Sequence, residues 1–588
     1  MKKYTKFLVV SIVLFLCVIA FSSCNNVDYE LTDGTLLYRE VEGGYEVTGI
    51  ADENATEIKI PYFFKLKKVV SIGDGAFYEN SNIVSVIIPN SVKEIGYYNF
   101  TYCDSLEYIE VPSSVERIRQ GCFKYSDYLE FNEYDNGKYL GNERNPYFAL
   151  VGSKNREITS CKVNEKCKII AGAFQWCENL ETVEIPDGVK VIDEYAFYAC
   201  EALKEIDIPS SVKIIGDVAF SNCHKLEKVA ISSKIEEIGD NVFGCCYLLT
   251  DISFPNTLKK LGQFTFESAY KVVFNEYEGG LYFGNEENPY LILVRLKHEK
   301  MAELIIHKDT KIIDVYSVFV DREYENRDAR ITSIVVPENS KHFKVVDGAL
   351  YTKNGKTLVK YVRDESQFTV PKGVKYIGDY AFAYNKNLAS VVLPQSVKEL
   401  GIGAFENCSS LELVNIPSKI TAIQRNTFYM CTSLKNIELP NGLLYIGEQA
   451  FIYCSALESI DIPKNVRYID NYAFSYCDAL KRVVIPDNVF EIGRHTFSYC
   501  ENLEEIVVGK GIRTINFYAF SENPSLKKVV LSNRVKSIGG GAFKNCTALE
   551  RIEYEGTYAE WIEVDRYTSK QSGDNWDSGT GDYMVSTK

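Results

Sequence analysis

Apolar and polar positions along this chain recur every 23 residues. The stretch FIYCSALESIDIPKNVRYIDNYAF, from Phe451 to Phe474, is one such unit. Marker phenylalanines fall at Phe77, Phe100 and Phe123, and then at Phe174, Phe197, Phe220, Phe243 and Phe266. They resume at Phe382, Phe405, Phe428, Phe451, Phe474, Phe497, Phe520 and Phe543, and every step within a group is 23. In LESIDIP, Ile460 and Ile462 alternate with Ser459 and Asp461, a period of two that predicts a half-buried strand. Pro463 ends it, because proline has no N–H for a continuing ladder. Val466 and Ile469 open the return side, and the short turn into Ala473 and Phe474 predicts a single helical or 3₁₀ turn. Such a unit cannot bury its apolar positions alone. Stacked at the strand spacing of about 4.8 Å, successive units set Leu over Leu, Ile over Ile and Phe over Phe. The fold class expected is a repeat solenoid: a right-handed coil with a parallel β-sheet along one face and short strands or 3₁₀ turns on the return side.

Two interludes interrupt the count and resemble each other: FNEYDNGKYLGNERNPYFALVG (131–152) and FNEYEGGLYFGNEENPYLILVR (274–295). Each is expected to form one enlarged coil carrying a hairpin turned at Asn145-Pro146-Tyr147 or Asn288-Pro289-Tyr290. HFKVVDGALYTKNGKTLVKYV, within 338–371, adds a third irregular hairpin. All three are insertions in one solenoid, either plain spacers or binding loops on one face.

The first 24 residues stand apart. Lys2, Lys3 and Lys6 precede FLVVSIVLFLCVIAF, and Ser22, Ser23 and Cys24 follow. A basic head, an apolar segment too short to span comfortably and small residues before a cut describe a secretory signal. The Ser-Ser-Cys end resembles the lipobox of bacterial lipoproteins, with Phe21 where most carry leucine. That resemblance implies that Cys24 becomes the lipidated first residue of the mature chain. The rest has ordinary globular composition, 46% hydrophobic and 25% charged, so global disorder is not expected. The formal charge of −15 argues against nucleic acid or an anionic lipid surface as the main partner.

The repeated A-F-x-x-C/N-x-x-L-x-x-I-x-I-P-x-x-V-x-x-I resembles the BspA-type leucine-rich repeat of surface proteins. DGTLLYREVEGGYEVTGIADENATEIKIP near the start and IEYEGTYAEWIEV near the end resemble the terminal units of such proteins. The organisation that follows is a lipoprotein signal peptide over 1–23 and an N-terminal hairpin cap over 24–70. The solenoid occupies 71–556, with irregular hairpins near 131–168, 274–300 and 338–371. A C-terminal cap and polar tail take 557–588, the tail after about Arg566 being expected to be disordered.

Seventeen cysteines in an exported chain would ordinarily predict disulfides. Eleven of them share one slot, three after the marker, from Cys103 through Cys546, and Asn80, Asn385 and Asn523 also take it. Asparagine cannot form a disulfide, so the slot reads as a packing and backbone-bonding position filled by reduced thiols. Cys122, Cys161, Cys167 and Cys245 fall outside that slot. CKVNEKC has poor zinc spacing. His224, His298, His307, His342 and His495 form no metal motif, and neither a nucleophile elbow nor a P-loop appears. No enzyme activity, metal or cofactor is expected.

Partner chemistry is sought in the outward slots, two and four after the strand leucine. In the second array they read Thr182/Glu184, Glu205/Asp207, Lys228/Ala230 and Asp251/Ser253, a solvated acidic surface. Towards the C-terminus Val484, Val507 and Val530 make an outward apolar stripe beside Arg482 and Lys528. Tyr453, Tyr476 and Tyr499, two after the marker, form a second column over the same coils. Tyrosine buries large area at small entropic cost. The resemblance implies a lipid-anchored protein at the bacterial cell surface, on the outer membrane, whose solenoid binds a protein or glycan in an adhesin-like role. Membrane contact is expected through the lipid alone. A self-assembling envelope protein and a carbohydrate-capture module are the alternatives.

Overall fold

The computed structural model describes residues 31–566, apart from Glu42, Glu53, Glu79, Ser233, 298–300 and 321–330. It then describes Asn575, Asp577, Thr580 and Met584–Thr587. Most coils have two extended segments that pair in parallel with the coils before and after. On the front, Glu205–Ile208, Lys228–Ile231 and Asp251–Ile252 run side by side, Ile206 against Val229 and Val229 against Ile252. On the return side the ladder is Val191–Ile192, Ile214–Ile215, Glu237–Ile238 and Lys260–Leu261. The alternation read from the sequence is the burial pattern: Val483, Ile485, Ile506, Val508, Val529 and Leu531 point inward and are buried. The marker rings stack along the axis, Phe451 on Phe474 and Phe474 on Phe497 both at 5.1 Å. The chain is a leucine-rich-repeat solenoid.

The unit that opens the sequence reading departs from expectation on its front side. Leu457–Pro463 keeps its alternation, with Ile460 and Ile462 inside and Ser459 and Asp461 outside, but carries no strand. The front ladder stops at Leu413–Val414 and restarts at Arg482–Ile485. At the break the Asn415 side chain takes over the ladder's partners: its amide donates to the Leu393 carbonyl at 2.8 Å and its oxygen accepts from the Leu393 N–H at 2.7 Å.

The corner around each marker phenylalanine is the tightest part of the coil. The residue two before the marker has positive φ in all sixteen units, from Gly75 (62°) through Tyr472 (56°) to Gly541 (69°). The residue two after does so from Tyr102 (57°) to Asn545 (59°). Between them the N–H groups turn along the solenoid axis: Tyr472, Phe474 and Tyr476 donate to Arg494, Thr496 and Ser498 of the next coil at 2.9, 2.8 and 3.0 Å. A left-handed L-residue costs about 1–2 kcal/mol. That is offset because an unpartnered buried backbone group would cost about 1–3 kcal/mol.

The cysteine slot completes the corner in the other direction. The thiols of Cys200, Cys223, Cys454, Cys477 and Cys500 donate to the preceding marker's carbonyl at 3.2–3.3 Å. Asn523 does the same to Phe497 at 2.9 Å and adds Phe520 at 2.8 Å. Compact size and one donor are what the slot requires, which is why cysteine and asparagine alternate there. Burial pushes the Cys454 thiol up to about 12, away from thiolate chemistry. All fifteen cysteines among the described residues are free. The four that lacked a slot acquire one. Cys122 donates to the Gly96 carbonyl at 2.9 Å, Cys161 stands opposite Val183 in the core ladder, and Cys167 is buried, donating to Ile169 at 3.2 Å. Cys245 takes a left-handed corner position.

Each run of coils opens on an antiparallel three-stranded meander. These are Leu31–Thr32, Leu36–Val41 and Gly44–Ile50; Asn132–Tyr134, Gly137–Asn142 and Asn145–Ser153; Asn275–Tyr277, Gly280–Phe283 and Ile292–Leu296; and Phe343–Val346, Ala349–Thr352 and Thr357–Tyr361. The third strand always starts the next return-side ladder, as Leu150 does against Ile170 and Leu293 against Ile313. In the second and third meanders the end of the second strand closes the preceding front, where Val111 donates to Gly141 and Phe254 to Gly284. A Cβ on either glycine would lie 2.0 Å from the carbonyl of Asn145 or Asn288. The hairpin turns fall just before the Asn-Pro-Tyr tripeptides and not in them, between Asn142 and Asn145 and between Asn285 and Asn288: Asn145-Pro146-Tyr147 opens the third strand, Asn288-Pro289-Tyr290 leads into it, and Asn145 and Asn288 tie it to Lys166 and Asp309.

Of the tail after Arg566, the described residues pair with the last coil where disorder was expected. Met584–Thr587 adds a last parallel strand to Arg551–Tyr554, and Asn575 accepts the Gly541 N–H that has no further coil to meet.

The runs also meet one another. Asp193 holds Arg117 at 3.0 Å and accepts the Ile118 N–H at 3.2 Å, and Glu194 holds Arg119. Tyr380 stands 5.0 Å from Tyr316 and 3.5 Å from Gln263. The Arg39 guanidinium, ion-paired to Glu46, lies 3.8 Å over the Tyr468 ring, so the first meander reaches the fourth run.

Two substitutions test the corner. Cys477→Val keeps the volume but removes one of the two hydrogen bonds that the Phe451 carbonyl accepts, the Cys454 N–H at 3.1 Å remaining, and should lower stability by about 0.5–1.5 kcal/mol, while Cys477→Asn should cost less; equal losses in chemical denaturation would remove the thiol's donor role. Val218, β-branched at φ 59°, should gain roughly 1 kcal/mol on Val218→Asn, and a loss would mean its packing outweighs its strain.

Candidate binding surfaces

The front sheet brings the three valines together. Val484 lies opposite Val507 and Val507 opposite Val530, with Glu553 next in the row. Val484 is 40% exposed and the other two are half-buried. The parallel row of Arg482, Glu505, Lys528 and Arg551 alternates in sign over its first three members. Arg482 donates to Glu505 at 2.6 Å, and Lys528 reaches Glu505 at 3.5 Å and Glu553 at 3.0 Å. The Arg482 hydrogen bond holds the Glu505 carboxyl below its usual range. The two basic residues are thus matched within the sheet, and the valine stripe borders a near-neutral ladder. Exposed pairs of this kind contribute little stability; they fix the side chains flat beside the stripe. In the second run Asp207, Lys228, Ala230, Asp251 and Ser253 line a shallow open groove, with Lys228 3.7 Å from Asp251.

The tyrosines occupy the left-handed corner. Tyr453, Tyr476 and Tyr499 stack at 4.5 Å with interplanar angles of 22° and 5°. Burial, then the neighbouring tyrosines, pushes the Tyr476 phenol up. Stacked this closely, the rings spend their faces on one another and present edges and hydroxyls outward. The column therefore offers a row of hydrogen-bonding groups more than an apolar platform, and Tyr429 stands edge-on to Tyr453 at one end. Stripe and column share coils but lie on different parts of them, one on the sheet and one on the turn.

A more exposed column was not singled out from the sequence. Tyr78, Tyr102 and Tyr125 are 45%, 41% and 60% exposed, with Tyr102 stacked on Tyr125 at 4.7 Å. Tyr102 and Tyr125 fill the same slot as Tyr453, so the signal was present in the first run. Cys24 lies outside the described residues. The described histidines are mostly ring-stacked: His495 between Tyr472 and Tyr518, His224 on Tyr247 and His307 on Tyr290. Among the described residues no group of three His, Cys, Asp or Glu side chains is arranged to hold a metal ion, and no helix is long and apolar enough to cross a membrane.

Where the runs face each other, carboxyls accumulate. Burial raises Asp74, Asp193, Glu194, Asp240, Asp379 and Glu491 above the usual carboxylate range, against the opposing pull of Arg39, Arg117, Arg119, Lys260 and Arg425. A carboxyl raised in the folded state binds its proton more tightly there, so its contribution is greatest at low pH and is lost as pH rises through the folded value. Thermal midpoints should therefore rise as pH falls from neutral towards the ordinary carboxylate range, and Asp379→Asn should flatten that rise. A midpoint falling steadily over the interval would contradict it.

The sequence profile described as the BspA type leucine-rich repeat region matches residues 51–143, 154–278, 360–481 and 467–563. A comparison with curated proteins gives no significant match. Among solved structures, a leucine-rich cell surface protein of Faecalibacterium prausnitzii A2-165 is 21% identical, covering 91% of this chain and 97% of its own, with a TM-score of 0.21. A leucine-rich repeat protein of Bacteroides ovatus ATCC 8483 is 19% identical over 94% and 99%, TM-score 0.22. The pneumococcal vaccine antigen PcpA is 18% identical over 95% and 98%, TM-score 0.26. The profile spans most of the repeat units whose corners, ladders and cysteine slot are described above, and the chain belongs to the BspA type leucine-rich repeat family.

Proposed function

We propose that this protein is a non-catalytic scaffold, exported and lipid-anchored through Cys24 at the bacterial outer surface, that binds a protein or glycan in an adhesin-like role. The observation that carries the reading is the in-register row Val484, Val507 and Val530, left outward on a sheet whose neighbouring charges are already paired. Contiguous apolar surface with satisfied polar neighbours is what an interface core requires. The same charge row disfavours a two-fold self-contact centred on this face, which would set Glu505 against its own copy and Arg482 against Lys528. A foreign ligand fits it better than a second copy. The cell-surface description of the Faecalibacterium protein supports the location.

The test is a Val484→Asp, Val507→Asp, Val530→Asp variant, checked for native circular dichroism and screened with the parent against matrix proteins and a glycan array. Binding by the parent should weaken at least tenfold, or by about 1.4 kcal/mol. Undiminished binding by the folded variant would dismiss the stripe, and concentration-dependent particle size without any ligand would favour self-assembly.

A further inference from the structure

The sharpest exposed apolar feature of the described residues lies in the N-terminal cap, away from both candidate columns. Phe63–Phe64 and Lys67–Ile72 form a β-hairpin, Phe63 opposite Lys68 and Phe64 opposite Lys67. The two connecting residues, Lys65 and Leu66, both have positive φ, 42° and 68°. That turn type is ordinarily filled by Asn-Gly or Gly-Gly; here a lysine and a leucine bear the strain, and strain without a structural need points to function. Leu66 is 96% exposed and Phe63 57%, with Tyr62 beside them at 40%. The base is rigid: Phe64 is buried, stacked on Tyr38 at 4.0 Å and edge-on to Tyr45 at 5.0 Å. Its partner across the hairpin, Lys67, pairs with Glu40. Phe63 and Leu66 thus project from a fixed pedestal into solvent.

The surroundings are cationic on a chain of net charge −15. Lys59, Lys65, Lys67 and Lys68 are exposed around the tip, and Glu40 pairs with Lys67. Lys68 reaches over the Tyr62 ring at 5.7 Å and Lys65 over Phe64 at 5.5 Å. An apolar tip with an aromatic shoulder inside a lysine collar is the chemistry of the bilayer interface: apolar groups enter the acyl boundary, tyrosine sits at headgroup level and lysines meet lipid phosphates. A protein partner would have to cover a leucine held on a convex point, whereas a fluid surface closes around it.

Chain length supplies the occupant. From Cys24 to Leu31, fully extended, the chain reaches at most about 25 Å. Leu31 lies level with Tyr38, Val47 and Ile72 across one sheet, so the Leu66 tip stands three strand spacings across and six residues along from it, about 25 Å, which the tether just matches. We propose that the Tyr62–Lys68 hairpin docks on the membrane that holds the protein's own lipid anchor, Phe63 and Leu66 entering the interfacial layer and Lys65 and Lys68 resting on anionic headgroups. The identity of that membrane rests on the reading of Cys24 as the lipidated residue; the hairpin's affinity for a bilayer does not. Lipid and hairpin together would fix the first run at the surface and aim the solenoid outward.

The experiment reconstitutes the purified full chain in phosphatidylethanolamine/phosphatidylglycerol vesicles with brominated acyl chains. Leu66→Trp is compared with Leu413→Trp, whose parent residue is 66% exposed on the distant front sheet. Bromine should quench the fluorescence of Leu66→Trp at least twofold more than that of Leu413→Trp. Equal quenching in vesicle-bound protein would overturn the proposal. Mass spectrometry of the same preparation reports the anchor separately: absence of an acyl group on Cys24 would remove the anchor reading alone. The hairpin would then stand on cosedimentation of leader-free protein with the same vesicles, which should fall at least fivefold in Phe63→Asp/Leu66→Asp of native circular dichroism; an unchanged yield would overturn it.

Discussion

The structure depends on burying a corner. A coil of 23 residues turns sharply at its marker phenylalanine, and the turn is covered on both sides by identical turns. Its backbone groups have no water to meet, so each needs a donor or acceptor from the next coil. Left-handed residues two before and two after the phenylalanine aim the N–H groups one way. A thiol or carboxamide three after it satisfies the carbonyl facing the other way. The stacked rings fill what remains. None of this is available to an isolated coil, which explains why the pattern repeats so faithfully and why thiols sit in it without chemistry.

The same demand creates a problem at each end of a run, where a coil lacks a neighbour. Meanders solve it at the start by lending one strand to the following return side and, in the second and third, another to the previous front. At the far end the tail returns with Asn575 and the strand Met584–Thr587. The runs then press their acid-rich sides together, and Arg39 on Tyr468 joins the first meander to the fourth run. Outward residues carry none of this obligation. They are free to build the valine stripe, the tyrosine columns and the leucine-tipped hairpin, and there the protein can be specific.

Periodicity alone determined the solenoid, the inward faces and the reduced cysteine slot, because a stacked repeat makes local pattern and tertiary contact the same statement. The valine stripe was legible for the same reason, since equal slots on adjacent coils must adjoin. Other features were not legible. The front ladder breaks after the point where the Asn415 side chain, two coils before Leu457–Pro463, pairs with the Leu393 backbone, and sequence alternation is blind to whether a ladder partner is supplied. Left-handed φ at Tyr472 or Val218 has no signature in residue type, because neither residue favours it. Tyr102 and Tyr125 were overlooked although their slot announced them. The meeting of Asp193 with Arg117, and of Arg39 with Tyr468, joins residues from separate runs, and no 23-residue rule reports how one run lies against another. Sequence settled what each coil shares with its neighbour. Only the tertiary structure decided where the array breaks, how it folds back and which apolar groups are left facing outward, because those depend on contacts the repeat does not encode.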